Sequence, residues 1–318
     1  MNITLRQLMY FIALSEARHF GRAAERAHVS QPALSVQVAA LETALGAQLI
    51  DRTGRGVILT PTGHEVLLYA RKVMAELRAL KDAAQSARGL SGQLTLGVIP
   101  TIAPYLLPVA LPLLRARNVT LDLRVREAQT EALLEDLVTG RLDAAVIALP
   151  SGRAGLEEVA LATDRFLLAG SQTQIDALAA RDVPLHPEDI APGRLLLLDE
   201  GHCLADQALE VCGLDRTATR VDLGASSLAT LSGLVAEGFG LTLLPEIARA
   251  TESAAAPGMR LARFAAPEPA RRLGLVRRAG PEGHDWFGEL AALLIEALRG
   301  LLPDGACAPA DIATAAED

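Results

Sequence analysis

The sequence predicts a mixed chain, α+β at its front and α/β behind, with one long helix joining the two. Three observations predict it. Apolar residues recur at helical spacing up to Gly46 and are followed by a short, turn-broken pair of apolar runs. A stripe of heptad type begins after Pro61. Beyond Gly92, apolar runs of strand length alternate with helical stripes.

At the front, Leu5, Leu8, Met9 and Ile12 mark a first helix, and Phe20 to Ala27 a second, short one carrying the small pair Ala23 and Ala24. His28, Val29 and Ser30 form a turn. Ser30 suits an N-cap and Pro32 the first turn of the next helix, where a missing N–H costs little. That helix places Leu34, Val38, Leu41 and Leu45 on one face and stops at Gly46. Leu49 to Leu59, broken by the basic turn DRTGRG, reads as a β-hairpin wing. From Pro61 a helix runs towards Arg88 with Val66, Ala70, Val73, Leu77, Leu80 and Ala84 in steps of four and three. Such a seam either pairs with a second copy or lies on its own domain. The string RGLSG, residues 88 to 92, reads as a hinge.

Behind the hinge come QLTLGVI, a helix from Tyr105 to Ala116, TLDLRVRE, a helix from Thr130 to Thr139, and AAVIAL. Further apolar runs are RFLLAG, RLLLLDE, RVDL and LTLLP, with helices expected at Leu204 to Val211 and Ser227 to Glu237. Alternation of this kind argues for α/β units with parallel strands, whose ligands sit beyond the carboxyl ends of strands. The stretch from Pro303, rich in Ala, Pro and Asp, is expected to be disordered, which makes Cys307 a weak candidate for any role.

The chain has 318 residues, half of them hydrophobic, enough for two or three compact units. Its net charge of −8 is uneven: residues 1 to 90 carry 11 Lys and Arg against 7 Asp and Glu, whereas residues 91 to 318 carry 19 against 31. Only the front suits nucleic acid. With no basic-then-apolar leader and no apolar run of roughly 18 to 20 residues, no membrane partner and a cytoplasmic location are expected. A reducing compartment keeps most thiols free, so a close cysteine pair there is more often reactive or metal-binding than a structural staple.

Two of the three cysteines stand nine positions apart in GHCLADQALEVC, residues 201 to 212. If the stretch is helical, nine residues advance about 13.5 Å and turn about 900°, leaving the thiols on opposite faces. A disulfide needs Cα atoms within roughly 7 Å. Joining Cys203 to Cys212 therefore requires the backbone between them to unwind. Two thiols so placed, with His202, make a poor metal site, and no metal or cofactor is expected. Phosphate-binding glycine loops, nucleophile elbows and HExxH pairs are absent from the sequence, so no enzyme is predicted.

At the front, a helix, a turn and a second helix beginning SQPALS place Ser30, Gln31, Pro32, Ala33 and Ser35 near an exposed helix start. Gln can pair with adenine and Ser with a base edge or phosphate. Arg52 and Arg55 of the wing can hold phosphate. An ordinary helical bundle satisfies the same pattern.

The run LRQLMYFIALSEARHFGRAAERAHVSQPALSVQVAALETALGAQLIDR, with LTPTG after it, resembles the DNA-binding domain of LysR-type transcriptional regulators, and the resemblance extends over nearly the whole chain. It implies a winged helix-turn-helix over residues 1–60 and a linker and dimerisation helix with hinge over 61–92. Behind these it implies a two-lobed α/β effector domain, similar to periplasmic binding proteins, over 93–302, then a tail over 303–318. Promoter DNA and a homo-oligomer, dimer or tetramer, are the implied partners. One departure matters: Val38 and Ala39 follow Gln37 where the family often has a basic residue, so phosphate contacts would rest more on Arg22, Arg52 and Arg55.

Within that family, IPTIAPYLLP, EAQTEALL, GHCLADQALEVC and PEPARRLGL are similar to the hydrogen-peroxide-sensing branch; the dodecamer is the most specific, whereas SSLATL and GLTLLP are shared more loosely. The resemblance implies a redox-sensing effector domain in which Cys203 is the peroxidatic and Cys212 the resolving thiol. It implies peroxide contacts from Thr101, Thr130, His202 and Asp206, and a thiol reductant such as a glutaredoxin or thioredoxin as partner. Residue chemistry agrees: the start of a helix favours a thiolate and its end disfavours one. Each residue has a plainer reading: His202 fixing a turn, Asp206 complementing the helix dipole, Thr101 in a turn, Thr130 capping a helix. The string PEPARR has Ala270 where the first arginine of the branch falls, and strand alternation sends Arg271 and Arg272 to opposite faces. The implied function is a peroxide-activated transcriptional regulator. The alternatives are a regulator answering to a small metabolite, with incidental cysteines, and a thiol peroxidase.

Overall fold

The computed structural model describes residues 3–53, 56–85, 90, 93–117, 121–180, 183–214, 225–279 and 285–308. Contacts divide the chain into two units, Met1–Ala87 with Val138–Arg141, and Arg88–Leu137 with Leu142–Asp318.

The front unit begins with α1 (Leu5–Ala17), where Gln7 N–H donates to Thr4 Oγ1 and Thr4 N–H to Gln7 Oε1, a reciprocal cap. The helix buries Leu8, Phe11 and Leu14 but exposes Leu5 and Met9, so the buried face is rotated from the one read off the sequence. Short α2 (Phe20–Arg26) is capped by His19 Nδ1, and its fully or nearly buried Ala23 and Ala24 allow close helix packing. The next helix, α3 (Gln31–Leu45), starts where expected: Ser30 Oγ accepts from Ala33 N–H, Pro32 stands in the first turn, and Gly46 ends it at φ 65°. The wing pairs β1 (Ile50–Thr53) with β2 (Gly56–Leu59) antiparallel, and Glu42 Oε1 ties α3 to it by accepting from Leu49 and Ile50 N–H.

Helix α4 (Pro61–Gln85) treats the heptad stripe differently along its length. Leu67 and Ala70 join the front core with Val66 against it, whereas Val73 and Leu80 are exposed together with Tyr69. The first turns lie on their own domain; the later ones present an apolar face. Ala84 has no described side-chain placement, and of the hinge only Leu90 is described, buried and with its N–H donated to Glu289.

The second unit is built on one mixed sheet in the order β4-β3-β5-β9-β6-β7, with β8 also on β6. Strands β3 (Gln93–Val98), β4 (Asp122–Glu127) and β5 (Ala144–Leu149) are parallel and alternate with α5 (Ala103–Arg117) and α6 (Thr130–Val138), which makes the first lobe. From there the parallel expectation fails. The long β6 (Leu156–Ser171), β7 (Thr242–Pro245), β8 (Met259–Arg263) and β9 (Ala270–Arg278) pair antiparallel, β9 with both β5 and β6. The late strand β9 lies between β5 and β6 and so joins the parallel strands to the antiparallel ones.

Helices α7 (Gln172–Ala179), α8 (Cys203–Cys212), α9 (Leu228–Ala236) and α10 (Arg249–Ala255) belong to the second lobe, and α11 (Asp285–Arg299) packs on α5 and β6. The run RLLLLDE is not a continuous strand: it holds on through isolated bridges, Leu195 to Leu241 and Leu198 to Ala225. RVDL lies outside the described residues. The stretch from Pro303, expected to be disordered, is corrected up to residue 308: Cys307 bridges to Ala162, Thr163 N–H donates to Ala306 O at 2.7 Å and Ala308 N–H to Leu161 O at 2.9 Å. An otherwise open edge of β6 supplies those partners, which composition alone does not reveal. Residues 309–318 lie outside the described residues.

Candidate functional site

A small pocket in the second unit opens at the carboxyl ends of β3 and β4. Ile99, Pro100 and Thr101 line it from the turn after β3, Gln129 and Thr130 from the start of α6, and Gly201, His202 and Cys203 from the start of α8. Parallel strands leave such a crevice because their connections depart on either side of it.

Cys203 is the first residue of α8 and Cys212 the last; both are free thiols, Cys203 partly and Cys212 almost wholly buried. Nine helical steps put their Cα atoms about 13.5 Å apart. His202 is the N-cap residue, buried, and its side chain makes no cap hydrogen bond. The turn before it is held by Gln129, whose Nε2 donates to Glu200 O at 3.2 Å. Gly201 sits at φ +88°, and a Cβ there would come within 2.4 Å of the Gln129 side chain. Burial, with the nearby Glu188 carboxylate adding to it, pushes the Cys212 thiol up to about 11. Cys212 is therefore held as a thiol at the far end of the helix from the pocket.

Thr101 is buried and hydrogen-bonded from behind. Arg271 Nη1 donates to Thr101 Oγ1 at 2.9 Å and Nη2 to Thr101 O at 3.2 Å. Arg271 is in turn paired with Asp164, its Nε and Nη2 each 3.0 Å from Asp164 Oδ2, while Ile247 N–H donates to Oδ1 at 3.0 Å. Burial pushes the Asp164 carboxyl up, and Arg271 and the Ile247 N–H oppose that rise. The strand alternation left open in PEPARR is thus settled: Arg271 turns inward, and Ala270 and Arg272 are exposed. Thr130, the first residue of α6, has a buried Oγ1 with no hydrogen-bond partner, so it does not cap the helix. Thr130 lines the pocket, and an unpartnered buried hydroxyl on a lining residue calls for a polar partner.

Of the expected peroxide contacts, the pocket gathers Thr101, Thr130 and His202 with Cys203; Asp206 stands exposed in the first turn of α8 and is not among the lining residues. Gln129 and Asp164 carry no signal of their own in the sequence, since a strand carboxylate and a loop amide look like ordinary surface groups. In the front unit, Arg22, Ser30, Gln31 and Pro32 are exposed and Ser35 is half-buried. Arg52 lies in β1 with no side-chain description, and Arg55 is outside the described residues. Val36, 64% exposed on the same helix, was not singled out; its apolar side chain suits a thymine methyl.

Residues 5–64 match the model of the bacterial regulatory helix-turn-helix protein, lysR family, and residues 87–299 that of the LysR substrate binding domain. The chain belongs to the LysR family. A probable hydrogen peroxide-inducible genes activator from Streptomyces viridosporus is 42% identical, covering 94% of this chain and 95% of that one. The DNA-binding transcriptional dual regulator OxyR of Escherichia coli is 40% identical over 93% and 95%. Among solved structures, a full-length OxyR cysteine variant from Pseudomonas aeruginosa superposes with a TM-score of 0.74 at 33% identity, covering 94% and 95% of the two chains. A Corynebacterium glutamicum OxyR cysteine variant, described as H2O2-bound, gives 0.61 at 36% over 95% and 94%. This LysR chain thus has the family's helix-turn-helix front and two-lobed α/β regulatory domain. Among its described residues no helix is long and apolar enough to cross a membrane, and no group of three or more His, Cys, Asp and Glu is placed to hold a metal.

Proposed function

We propose that this LysR-family chain is a DNA-binding transcriptional regulator of the oxidative-stress response, switched by hydrogen peroxide through Cys203 and Cys212. The observation that carries the reading is the placement of a partly exposed thiol at a helix start, in one pocket with Thr101, His202 and the unpartnered hydroxyl of Thr130. The relatives named for peroxide induction support it.

Chemistry follows from the two ends of α8. The Cys203 thiolate attacks one peroxide oxygen: an S–O bond forms, the O–O bond breaks, and the second oxygen leaves as hydroxide, which takes up a proton to become water. Cys212, buried and about 13.5 Å away along the helix, cannot reach the resulting sulfenic acid while α8 is intact. When α8 unwinds, Cys212 loses the burial that holds it protonated. Its thiolate then displaces hydroxide from the sulfenic sulfur, closing the disulfide. Two thiols and one peroxide give one disulfide and two waters. The refolded segment biases the effector domain towards the state that the disulfide accommodates.

In the front unit, the exposed Gln31, Pro32 and Val36 on α3 read base edges, with Ser30, Ser35 and the arginines Arg22, Arg52 and Arg55 on phosphate. The exposed Tyr69, Val73 and Leu80 on α4 supply the face on which copies pair. The regulator works where promoter DNA is, in the cytoplasm, and a thiol reductant such as glutaredoxin or thioredoxin resets it. Peroxide treatment followed by peptide mass spectrometry tests the reading: a linkage between residues 203 and 212 is expected. Normal promoter activation by a Cys203→Ser protein under peroxide would defeat it.

A further inference from the structure

Asp164 does not line the pocket, and the chemistry above gives it nothing to do. It is nonetheless fully enclosed with Arg271, the two side chains being 0% and 1% exposed. A buried ion pair is a poor source of stability, because desolvating two charges offsets most of their attraction. Its geometry gives a better account. Asp164 and Arg271 are directly opposite on β6 and β9, and the carboxylate, fixed by the Ile247 N–H, accepts from Nε and pairs with Nη2 of the guanidinium, whose Nη2 also donates to Thr101 O. Only one orientation of Arg271 remains, and in it Nη1 points at Thr101 Oγ1.

A guanidinium only donates. Arg271 therefore occupies an acceptor site of the Thr101 hydroxyl, which leaves the Thr101 proton free to be donated to an acceptor in the pocket that Thr101 lines. A β-bulge sets this up. The register of β6 on β9 slips between Ala160 and Ala162, leaving Leu161 as an extra residue. Leu161 and Ala162 are both buried, so alternation resumes with Asp164 inward and Thr163 outward. Residues 306–308 accept and donate across the same bulge through Leu161 O and Thr163 N–H, which secures the re-aimed strand.

We propose that Asp164 is the positioning residue of the peroxide site: it aims Arg271 so that Thr101 presents a hydroxyl proton to the departing peroxide oxygen. The inference rests on Cys203 being the peroxide-reactive thiol. Negative charge develops on that oxygen as the O–O bond breaks, and a pre-aimed donor lowers the barrier without reorganising.

The test uses full-length, reduced protein with Cys212→Ser, timing sulfenic acid formation at Cys203 by dimedone trapping and mass spectrometry, and in parallel Cys203 alkylation by iodoacetamide. Asp164→Asn keeps the shape but turns an amide donor on Arg271. The ratio of peroxide to iodoacetamide rates is expected to fall by about tenfold or more, since a donor is misaimed rather than deleted. Adding Asp164→Asn to Arg271→Gln is expected to change that ratio by less than about twofold, as residues acting in series are not additive. Asp164→Glu, which keeps the charge and moves it by one methylene, covers the case in which Asp164→Asn does not fold, and is expected to lower the ratio as well. A parental ratio in either folded variant, or full additivity with Arg271→Gln, overturns the proposal. A parent whose Cys203 ignores peroxide overturns the functional reading itself, before Asp164 is reached.

Discussion

Leu209 lies on the inner face of α8, 7% exposed and three positions before Cys212. If bonding the two sulfurs requires α8 to unwind, the burial of Leu209 stabilises the reduced protein and not the oxidised one. Leu→Ala at a buried site costs about 2 to 5 kcal/mol, and the lower figure suits a side chain that is not fully enclosed. Destabilising the dithiol form makes reduction of the disulfide less favourable, so the reduction potential becomes more negative. For a two-electron couple about 1.4 kcal/mol is 30 mV, which puts the shift for Leu209→Ala near 40 mV. Equilibrating wild-type and variant proteins in glutathione buffers, quenching by alkylation and measuring the linked fraction by mass spectrometry gives both midpoints. A midpoint within about 10 mV of wild type, with a reduced form that melts earlier, would show that Leu209 stays packed in both states and refute the unwinding argument.

Further outcomes follow from single groups. The Cys212 thiol titrates near 11 in the fold against an ordinary 9.0, so the fold holds its proton more tightly than the unfolded chain. Stability of the reduced protein is therefore expected to fall as pH rises from 9 towards 11, by up to about 3 kcal/mol from this group, and Cys212→Ala should show a shallower slope in melts across the range. Thr130→Val removes an unpartnered buried hydroxyl at constant shape: thermal stability is expected to rise by about 1 kcal/mol or more while peroxide oxidation of Cys203 slows, and an unchanged oxidation rate counts against a ligand role for Thr130. On DNA, Gln31→Ala should lose about 1 to 3 kcal/mol of discrimination at one base pair, whereas Arg22→Ala should weaken binding to all sequences and reduce the salt slope by about one, both measured by fluorescence anisotropy.

The periodicities, the Ser30 cap with Pro32 and Gly46 at the two ends of α3, the wing and the nine-residue cysteine spacing were determined by the sequence alone, because each depends on residues within a turn or two of one another. That locality also made the two thiols legible as ends of one helix. Tertiary structure decided the rest. Whether Arg271 or Arg272 faces inward depends on the pairing of β9 with β6, and Asp164 faces it only because a bulge shifts the parity of a strand 107 positions earlier. The antiparallel return of β9 and the pairing of residues 306–308 with β6 have the same origin: a strand's partner is chosen by what remains unpaired elsewhere in the sheet, and no local pattern records it. Half of the α4 stripe illustrates the boundary, for a heptad shows which residues share a face, while only the packed front core shows that Val66 and Ala70 are already taken.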